Sequence, residues 1–514
     1  MTIHSSRRQF SRRQFLRTST ALSAGAALVG GLSIAQSAHA AGSDEIKVAL
    51  IAAGGRGAGA IRDRVQVGDN VKVVAVADAF QATAQRAAND LRRDNANEEN
   101  MMYGKVDLPE DRVFGGLDSY KRAIECLDPG DQVILASPPG FRPYHYRAAV
   151  EKGLHVFMEK PICVDAPGFR HVMETNRMAD EKNLKICVGF CFRYDARYVH
   201  WIDQIHAGRI GDIQYTRSYF KTPPIWFRTR DSGEGELEFQ TRNWYHFVWL
   251  CGENIVEQHS HRIDIANWIH SRGDHRAHPI EANGMGGRLV KTVRPGREDL
   301  LHQAPSFHDN RQAWDEWYQE HRSEFIRHGQ AWDSFFVEYT YADGSRSYSQ
   351  SRHIGNVQNY NMDHVHGTAG TGVAVPQRSS ALLGPDGAEL WRNREEDNFP
   401  KGMYHWQNDS HVDAIRNDKP MNDGYSAAMS SMMAVLGREA AYCGRVVQWD
   451  DLVARGRSYF PDGEITSFSQ PAPVQPDANG FYEGSVPVPG VYSPFDPSIE
   501  APQRPGPGGR RQAT

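Results

Sequence analysis

The 514-residue chain has six cysteines, at 126, 163, 187, 191, 251 and 443, and no two of them stand in CxxC spacing. Neither a zinc ribbon nor a disulfide scaffold is indicated, and the thiols read as buried apolar side chains. Long apolar runs are also missing. The stretch from Ala21 to Ala35 is too short and too rich in glycine and serine to span a bilayer as a permanent helix. Basic charge is not in excess: 58 Lys and Arg stand against 63 Asp and Glu, a formal charge of −5. Nucleic acid is therefore excluded as a partner on charge grounds. No internal repeat and no HExxH pattern occur. At 40% hydrophobic and 24% charged residues the chain is long enough for two domains.

Among what is present, residues 1–40 come first. Ser11-Arg12-Arg13-Gln14-Phe15-Leu16, the small-residue stretch after Ala21 and Ala38-His39-Ala40 form a twin-arginine export signal with its cleavage site. Removing its five arginines takes the formal charge from −5 to −10. The expected location is the periplasm, reached in the folded state through the twin-arginine translocase; a retained membrane anchor is the alternative. This route carries folded proteins, often with a cofactor inside, into a compartment with no maintained nicotinamide pool.

Residues 46–57 run Ile-Lys-Val-Ala-Leu-Ile-Ala-Ala-Gly-Gly-Arg-Gly, and the apolar run Val71 to Ala77 stops at Asp78. A buried strand, a glycine turn, a helix N-terminus and a carboxylate at the next strand end form the front half of a dinucleotide-binding βαβ unit. Gly54, Gly55, Arg56 and Gly57 would hold pyrophosphate. Asp78 would accept hydrogen bonds from the ribose hydroxyls and repel a 2′-phosphate, favouring NAD over NADP. A cap for the following helix is its structural alternative. Ala52 stands in the place of the motif's first glycine and suits the turn if its φ is below zero.

The alternation continues with strands at Gln132 to Ala136 and His155 to Glu159, a helix through Ala148 to Lys152, and a last strand from Lys185 to Phe190. This predicts an α/β fold: a Rossmann-type doubly wound parallel sheet over 46–193. Strand-like segments at Ile213 to Phe220, Ile280 to Gly287, Phe335 to Tyr341 and Ser345 to Ser351, the last two joined by an Ala342-Asp343-Gly344 turn, predict an α+β domain over 194–466 with a large, mostly antiparallel open sheet. Helices are expected at Gln81 to Leu91, Tyr198 to His206, Ile263 to His270, His411 to Arg416 and Ala427 to Tyr442. An insertion at about 290–330 carries a helical patch, Arg311 to Arg327. The 467–514 tail, dominated by proline and glycine, reads as extended or disordered.

Gly54-Gly55-Arg56-Gly57, Ala136-Ser137-Pro138-Pro139, Glu159-Lys160-Pro161 and the block from Glu257 to Asp264 follow one another in the order that marks the Gfo/Idh/MocA oxidoreductases, and over Ile46 to Asp450 the chain resembles that family. With Arg242-Asn243-Trp244-Tyr245 and His364-Val365-His366-Gly367 it is similar to exported members that act as glycoside 3-dehydrogenases. The export route implies that NAD is held tightly; the resemblance implies a sugar or glycoside substrate oxidised at a secondary hydroxyl, C3 among the candidates, and a homo-oligomer, dimer or tetramer. It also implies that Ser137, Pro138, His145, Glu159 and Lys160 border the cofactor, and that Arg193, Trp226, Asn243, Trp244, Glu257 and Asp264 contact substrate. Glu257 stands where the family commonly has aspartate.

Lys160, just beyond a parallel strand, can hydrogen-bond the reacting hydroxyl and stabilise an alkoxide, or relay its proton. His261 is the natural proton acceptor. If it is structural, Tyr245 or Lys160 must serve. Asp264 could instead orient the histidine. Glu257, His259 and His261 alternate, as do His364 and His366, which in extended chain would permit a metal site; hydride transfer from a carbinol needs none, and none is expected. Trp249, like Trp226 and Trp244, could stack on a sugar ring. Two further functions use the same residues: a glycosidase that oxidises C3 transiently and eliminates the aglycone, and a non-catalytic sugar-binding protein.

Overall fold

The computed structural model describes residues 45–498, apart from 290–291, 294–298, 307–308, 323–324, 327, 356, 396–397, 399–400, 462 and 479. The expected export signal and the end of the tail lie outside the described residues.

Six short strands, β1 (Ile46–Ile51), β2 (Val71–Asp78), β3 (Val113–Gly115), β4 (Gln132–Leu135), β5 (His155–Met158) and β6 (Ile186–Val188), form a parallel sheet in the order β3-β2-β1-β4-β5-β6. Every pairing in it is parallel. The strands are apolar on both faces because helices cover both: α1 (Gly55–Val65), α2 (Gln81–Asn95), α3 (Ser119–Glu125), α4 (Arg142–Lys152) and α5 (Ala166–Glu181). The chain order reverses between β1 and β4, the switch point at whose carboxyl end ligands of such sheets bind.

After α6 (Ala196–His206) comes β7 (Ile213–Thr222), the middle of a nine-stranded sheet. Its other strands are β8 (Glu281–Gly287), β11 (Ser334–Thr340), β12 (Arg346–His353), β13 (Tyr360–Gly367), β14 (Gly370–Val375), β15 (Ser379–Leu383), β16 (Glu389–Arg392) and β17 (Val447–Gln448). Only β7 and β12 pair in parallel. The short strands β9 (Thr292–Val293) and β10 (Phe325–Ile326) pair with each other inside the insertion. Its helical patch is shorter than expected, ending at His321. The helices that carry or brace the site are α7 (Glu236–Arg242), α8 (Ser260–Ser271), α9 (Gly402–Arg416) and α10 (Gly424–Cys443).

Nearly every side chain of α10 is buried, because it lies between the parallel-sheet unit and the larger sheet and joins one core cluster with residues of both. α9 turns back onto the parallel sheet: Gln407 donates to the Val188 carbonyl at 2.7 Å, and His411 bonds Gln132 and the Lys185 carbonyl, each at 3.0 Å. The two halves therefore share a packed interface, with a cleft between them. Among the described residues no helix is long and apolar enough to cross a membrane. All six cysteines are free, Cys126 half-buried and the others buried.

Candidate functional site

At the end of β1 the chain turns through Ala52, whose φ is +67°. This overturns the expectation of a negative φ there: alanine occupies the left-handed region that a glycine would hold without strain. Two hydrogen bonds fix the turn, Ala52 N–H to the Ala77 carbonyl and Ala53 N–H to Asp78 Oδ2, both 2.8 Å. Gly54 and Gly55 have nothing within 4 Å of where a Cβ would stand, whereas a Cβ on Gly57 would lie 2.0 Å from the Ala52 carbonyl oxygen. The first two keep an open cradle at the N-terminus of α1, and the third lets that helix close on β1.

Asp78 ends β2 with its carboxylate buried, one oxygen taking the Ala53 N–H and the other the Phe80 N–H at 2.9 Å. The cap position of α2 belongs to Phe80, with no side-chain capping bond, so Asp78 does not cap that helix. Burial raises its pKa, and the two backbone bonds oppose the rise.

Beyond β4, Arg142 at the head of α4 donates to the Ser137 and Glu159 carbonyls and ties the two neighbouring strand ends together. His145 bonds the Ser137 hydroxyl at 3.0 Å and stacks on Tyr120 with ring centroids 4.1 Å apart. Its burial pushes its pKa down to about 3, so it is neutral. Glu159 accepts from Arg56 Nε at 2.6 Å, and the Arg56 guanidinium lies over the Tyr404 ring.

Lys160 follows directly. Its ammonium donates to the Glu257 carbonyl and, at 3.2 Å, to Glu257 Oε1, both side chains being buried. His261, in the first turn of α8, has its ring edge-on to Phe190 and Phe192, at 6.2 and 5.4 Å. Its Nδ1 is buried without a hydrogen-bond partner. Burial, then the charges of Lys160, Arg262 and Arg56, hold its pKa well below the ordinary histidine value. Tyr245, whose hydroxyl accepts from Gln258 Nε2 at 2.6 Å, is shifted the opposite way by burial and by Glu257. It stays protonated near neutrality, which disfavours it as a proton acceptor.

All of these groups line one cavity of about 740 Å³ that runs from the glycine turn and Asp78 past Ser137, Pro138, His145 and Glu159 to Lys160, Glu257 and His261, with Trp226 and Trp244 on its wall. Three expected substrate contacts lie elsewhere. Arg193 and Asp264 form a bidentate ion pair at 2.8 to 3.1 Å, and Ser430 donates to the same carboxylate at 2.7 Å. Asn243 is buried and holds the Arg228 backbone through its N–H at 2.8 Å and its carbonyl at 3.1 Å. These residues brace the walls, and their bonding capacity goes to protein. Trp249 is also core, its Nε1 donating to Gln240 at 2.8 Å.

The alternating histidines do not form an extended ligand face. Glu257 ends a short helix and His261 sits in α8, while His259 turns toward β12 and bonds Ser349 at 2.6 Å. His364 and His366 do share a face of β13, where His366 stacks on Tyr215. Among the described residues no group of three or more His, Cys, Asp or Glu is placed to hold a metal. Sequence reasoning missed Phe80, Tyr120, Arg142, Arg228, Gln258 and Tyr404 in the lining. Arg142, right after Pro138-Pro139 at the head of a helix, carried a readable signal; Tyr404 arrives from α9, more than two hundred residues away, and carried none.

Residues 46–190 match the model of the Gfo/Idh/MocA family, described as an oxidoreductase family with an NAD-binding Rossmann fold. The chain is 30% identical over 184 residues to the inositol 2-dehydrogenase of Streptomyces avermitilis, covering 34% of this chain and 46% of that protein. It is 25% identical over 230 residues to the scyllo-inositol 2-dehydrogenase (NAD(+)) of Bacillus subtilis, covering 44% and 54%. The alignments thus span about half the length of these curated relatives. Among solved structures, the aldose-aldose oxidoreductase of Caulobacter crescentus superposes with a TM-score of 0.52 at 15% identity, over 79% of this chain and 99% of that one. GenD2 from gentamicin A biosynthesis, in complex with NAD, gives 0.52 at 15% identity over 81% and 99%. These structural likenesses establish the fold: a parallel Rossmann sheet followed by a mostly antiparallel mixed sheet.

Proposed function

From the Rossmann unit of the Gfo/Idh/MocA oxidoreductases that residues 46–190 match, we propose that this protein is an NAD-dependent oxidoreductase acting on a secondary hydroxyl of a sugar, glycoside or related polyol, C3 of a glycoside among the candidates. The observation that carries the reading is convergence: the glycine turn, Asp78 and the Lys160 and His261 pair face one cavity, whose volume of about 740 Å³ lies in the range of cofactor sites. The residues fit the cofactor. Gly54 and Gly55 leave room for pyrophosphate at the head of α1, and Asp78 faces the cavity as an acceptor for ribose hydroxyls.

A nicotinamide dinucleotide held by Gly54, Gly55 and Asp78 would supply the hydride acceptor for the carbinol carbon. The hydroxyl proton goes to His261, which burial and the neighbouring cations keep neutral and so able to accept it, while making it a weaker base than a free imidazole. Lys160 donates a hydrogen bond to the same oxygen and stabilises its developing negative charge. Glu257 holds that ammonium in place. Trp226, Trp244 and Tyr245 supply aromatic faces for a sugar ring.

The twin-arginine signal supports export to the periplasm in the folded state. An enzyme working there must retain its nucleotide and regenerate it in place, and we read it as an oligomer that balances its own redox cycle on sugar substrates. Protein recovered from the periplasm and dialysed exhaustively is expected to hold near-stoichiometric NAD(H) by mass spectrometry. Incubated with an aryl glycoside, it is expected to give a keto product. Phenol release without net NADH would assign the glycosidase route instead, and neither product would leave a sugar-binding protein. Apo-protein active only with millimolar NAD would refute retention.

A further inference from the structure

We propose that the C-terminal segment 457–495 is a latch that holds the wall of the dinucleotide cavity closed near Asp78; the inference rests on the cofactor reading above. The described residues of this stretch, all but 462 and 479, form almost no regular structure, so its attachments define it. Its start is fixed to the parallel-sheet unit, where Asp165 Oδ2 accepts the N–H groups of Tyr459 at 2.8 Å and Phe460 at 3.2 Å. Its far end is fixed to α10, through Tyr492 to Glu439 at 2.7 Å and Gly490 N–H to the Cys443 carbonyl at 3.1 Å.

Between these anchors the segment braces residues that line the cavity. Phe468 stacks on Phe80, two residues beyond Asp78, with ring centroids 5.3 Å apart. Glu464 pairs at 2.6 Å with Lys121, the neighbour of the lining residue Tyr120. It then fastens α7, whose Thr241 and Arg242 form another part of the wall. Gln240 donates to the Val474 carbonyl at 2.6 Å, and the Tyr482 hydroxyl donates to Glu236 at 2.5 Å. Phe460, Ala472 and Tyr482 join Leu117, Phe141 and Phe239 in one apolar cluster, so the latch is seated by packing as well as by polar bonds.

One segment thus clasps both the Asp78 to Phe80 corner and α7. A dinucleotide lying between them would touch both walls, and each attachment of the latch opposes the outward motion of either that would loosen its hold. A chain that carries its nucleotide through export would gain slow release from such a clasp without tighter contacts to the nucleotide itself.

The test is the release rate of NADH, preloaded on the full-length protein and displaced by excess NAD, followed by the loss of bound-NADH fluorescence. Phe468→Ala removes the stack from a half-buried position and is expected to speed release roughly threefold to tenfold, the usual worth of an aromatic pair. Tyr482→Phe keeps the ring and its packing, deletes the hydroxyl's bonds to Glu236 and, at 3.4 Å, from Arg230, and is expected to speed release about twofold or more. Phe468→Tyr is expected to restore the parent rate, which a general loss of stability would not explain. Thermal melts confirm that each variant is folded at the assay temperature. Equal release from the parent and both variants would overturn the latch while leaving nucleotide binding in place. Failure of the parent to bind NADH at all would overturn the cofactor reading with it.

Discussion

The glycine turn gives a pair of substitutions with opposite expected signs. Ala52 has φ +67°, a conformation that costs a non-glycine residue about 1–2 kcal/mol. Glycine would remove that cost and add back about 0.5–1 kcal/mol through its greater freedom in the unfolded chain. Ala52→Gly is therefore expected to be neutral or to stabilise by up to about 1.5 kcal/mol, with NADH affinity kept. Gly57→Ala differs, because its new Cβ would stand 2.0 Å from the Ala52 carbonyl oxygen, a backbone atom that moves only if α1 and β1 separate. Overpacking of this kind costs about 1–3 kcal/mol or more, and the displaced helix N-terminus should weaken nucleotide binding at least about tenfold. The clash is with the carbonyl, so combining Ala52→Gly with Gly57→Ala is expected not to rescue it. Guanidinium unfolding and fluorescence titration with NADH measure both quantities. Parent-like stability and affinity in Gly57→Ala, or a loss above about 1 kcal/mol in Ala52→Gly, would refute this account of the turn.

Lys160→Met and His261→Ala are each expected to lower turnover by about a hundredfold or more with nucleotide still bound. Lys160→Met also strands the buried Glu257 carboxylate, so Lys160→Met with Glu257→Gln separates lost proton handling from lost stability; near-normal turnover in both single variants would end the assignment. Asp78→Ser is expected to weaken NAD and narrow its advantage over NADP, and unchanged NAD affinity would remove Asp78 from the ribose site. The lowered pKa of His261 keeps its base form populated as pH falls, so the acid limb of kcat/KM is expected well below the ordinary histidine value of about 6.5, and a limb at or above that value would refute the role. His145, His259 and His411 are buried with pKa values pushed down to about 3. Their unfolded forms bind protons first as pH falls, so stability is full above about pH 6.5 and is expected to drop by roughly 1.4 kcal/mol per pH unit for each histidine below it; flat stability from pH 7 to 5 would contradict their burial as neutral rings.

Five of the six strands of the parallel sheet were legible because they are short apolar runs bounded by glycine, aspartate or proline, a length and flanking that favour strand over helix; β3, only three residues long, was not. The hairpin of β11 and β12 was legible from its turn, where Gly344 takes a positive φ and the Tyr341 N–H bonds the Ser345 carbonyl at 2.9 Å. Other elements were not. β14, with the sequence GTGVAV, has two glycines in six residues, and its place in the sheet comes from pairing with β13 and β15. The first half of α9, from Gly402, mixes aromatic and polar residues without a clean apolar stripe, because that helix packs against the Rossmann sheet on one side and reaches the cavity with Tyr404 on another. α5 was readable and passed over: Asp165 accepts the Gly168 N–H at 2.7 Å as a cap, followed by Pro167 in the first turn.

The candidate site divides along a different line. Residue type nominated Arg193, Asn243 and Asp264 as firmly as Lys160, Glu257 and His261, since all six are polar groups suited to sugar hydroxyls. What separates them is the partner each side chain meets, and that is decided by elements distant in the chain. Asp264 takes two nitrogens of Arg193 and the hydroxyl of Ser430, the latter from α10, and has little capacity left for a ligand. His261, one turn earlier on the same helix, keeps a buried Nδ1 without a partner, and Glu257 keeps an Oε2 in the same condition. Arg142 Nε and Arg242 Nε on the same cavity wall are also buried without a partner, so four lining groups keep bonding capacity of the kind that Asp264 has spent on Arg193 and Ser430. Residue type shows which side chains are able to bind; contacts from distant elements decide which of them are already occupied, as Arg193, Asn243 and Asp264 are here.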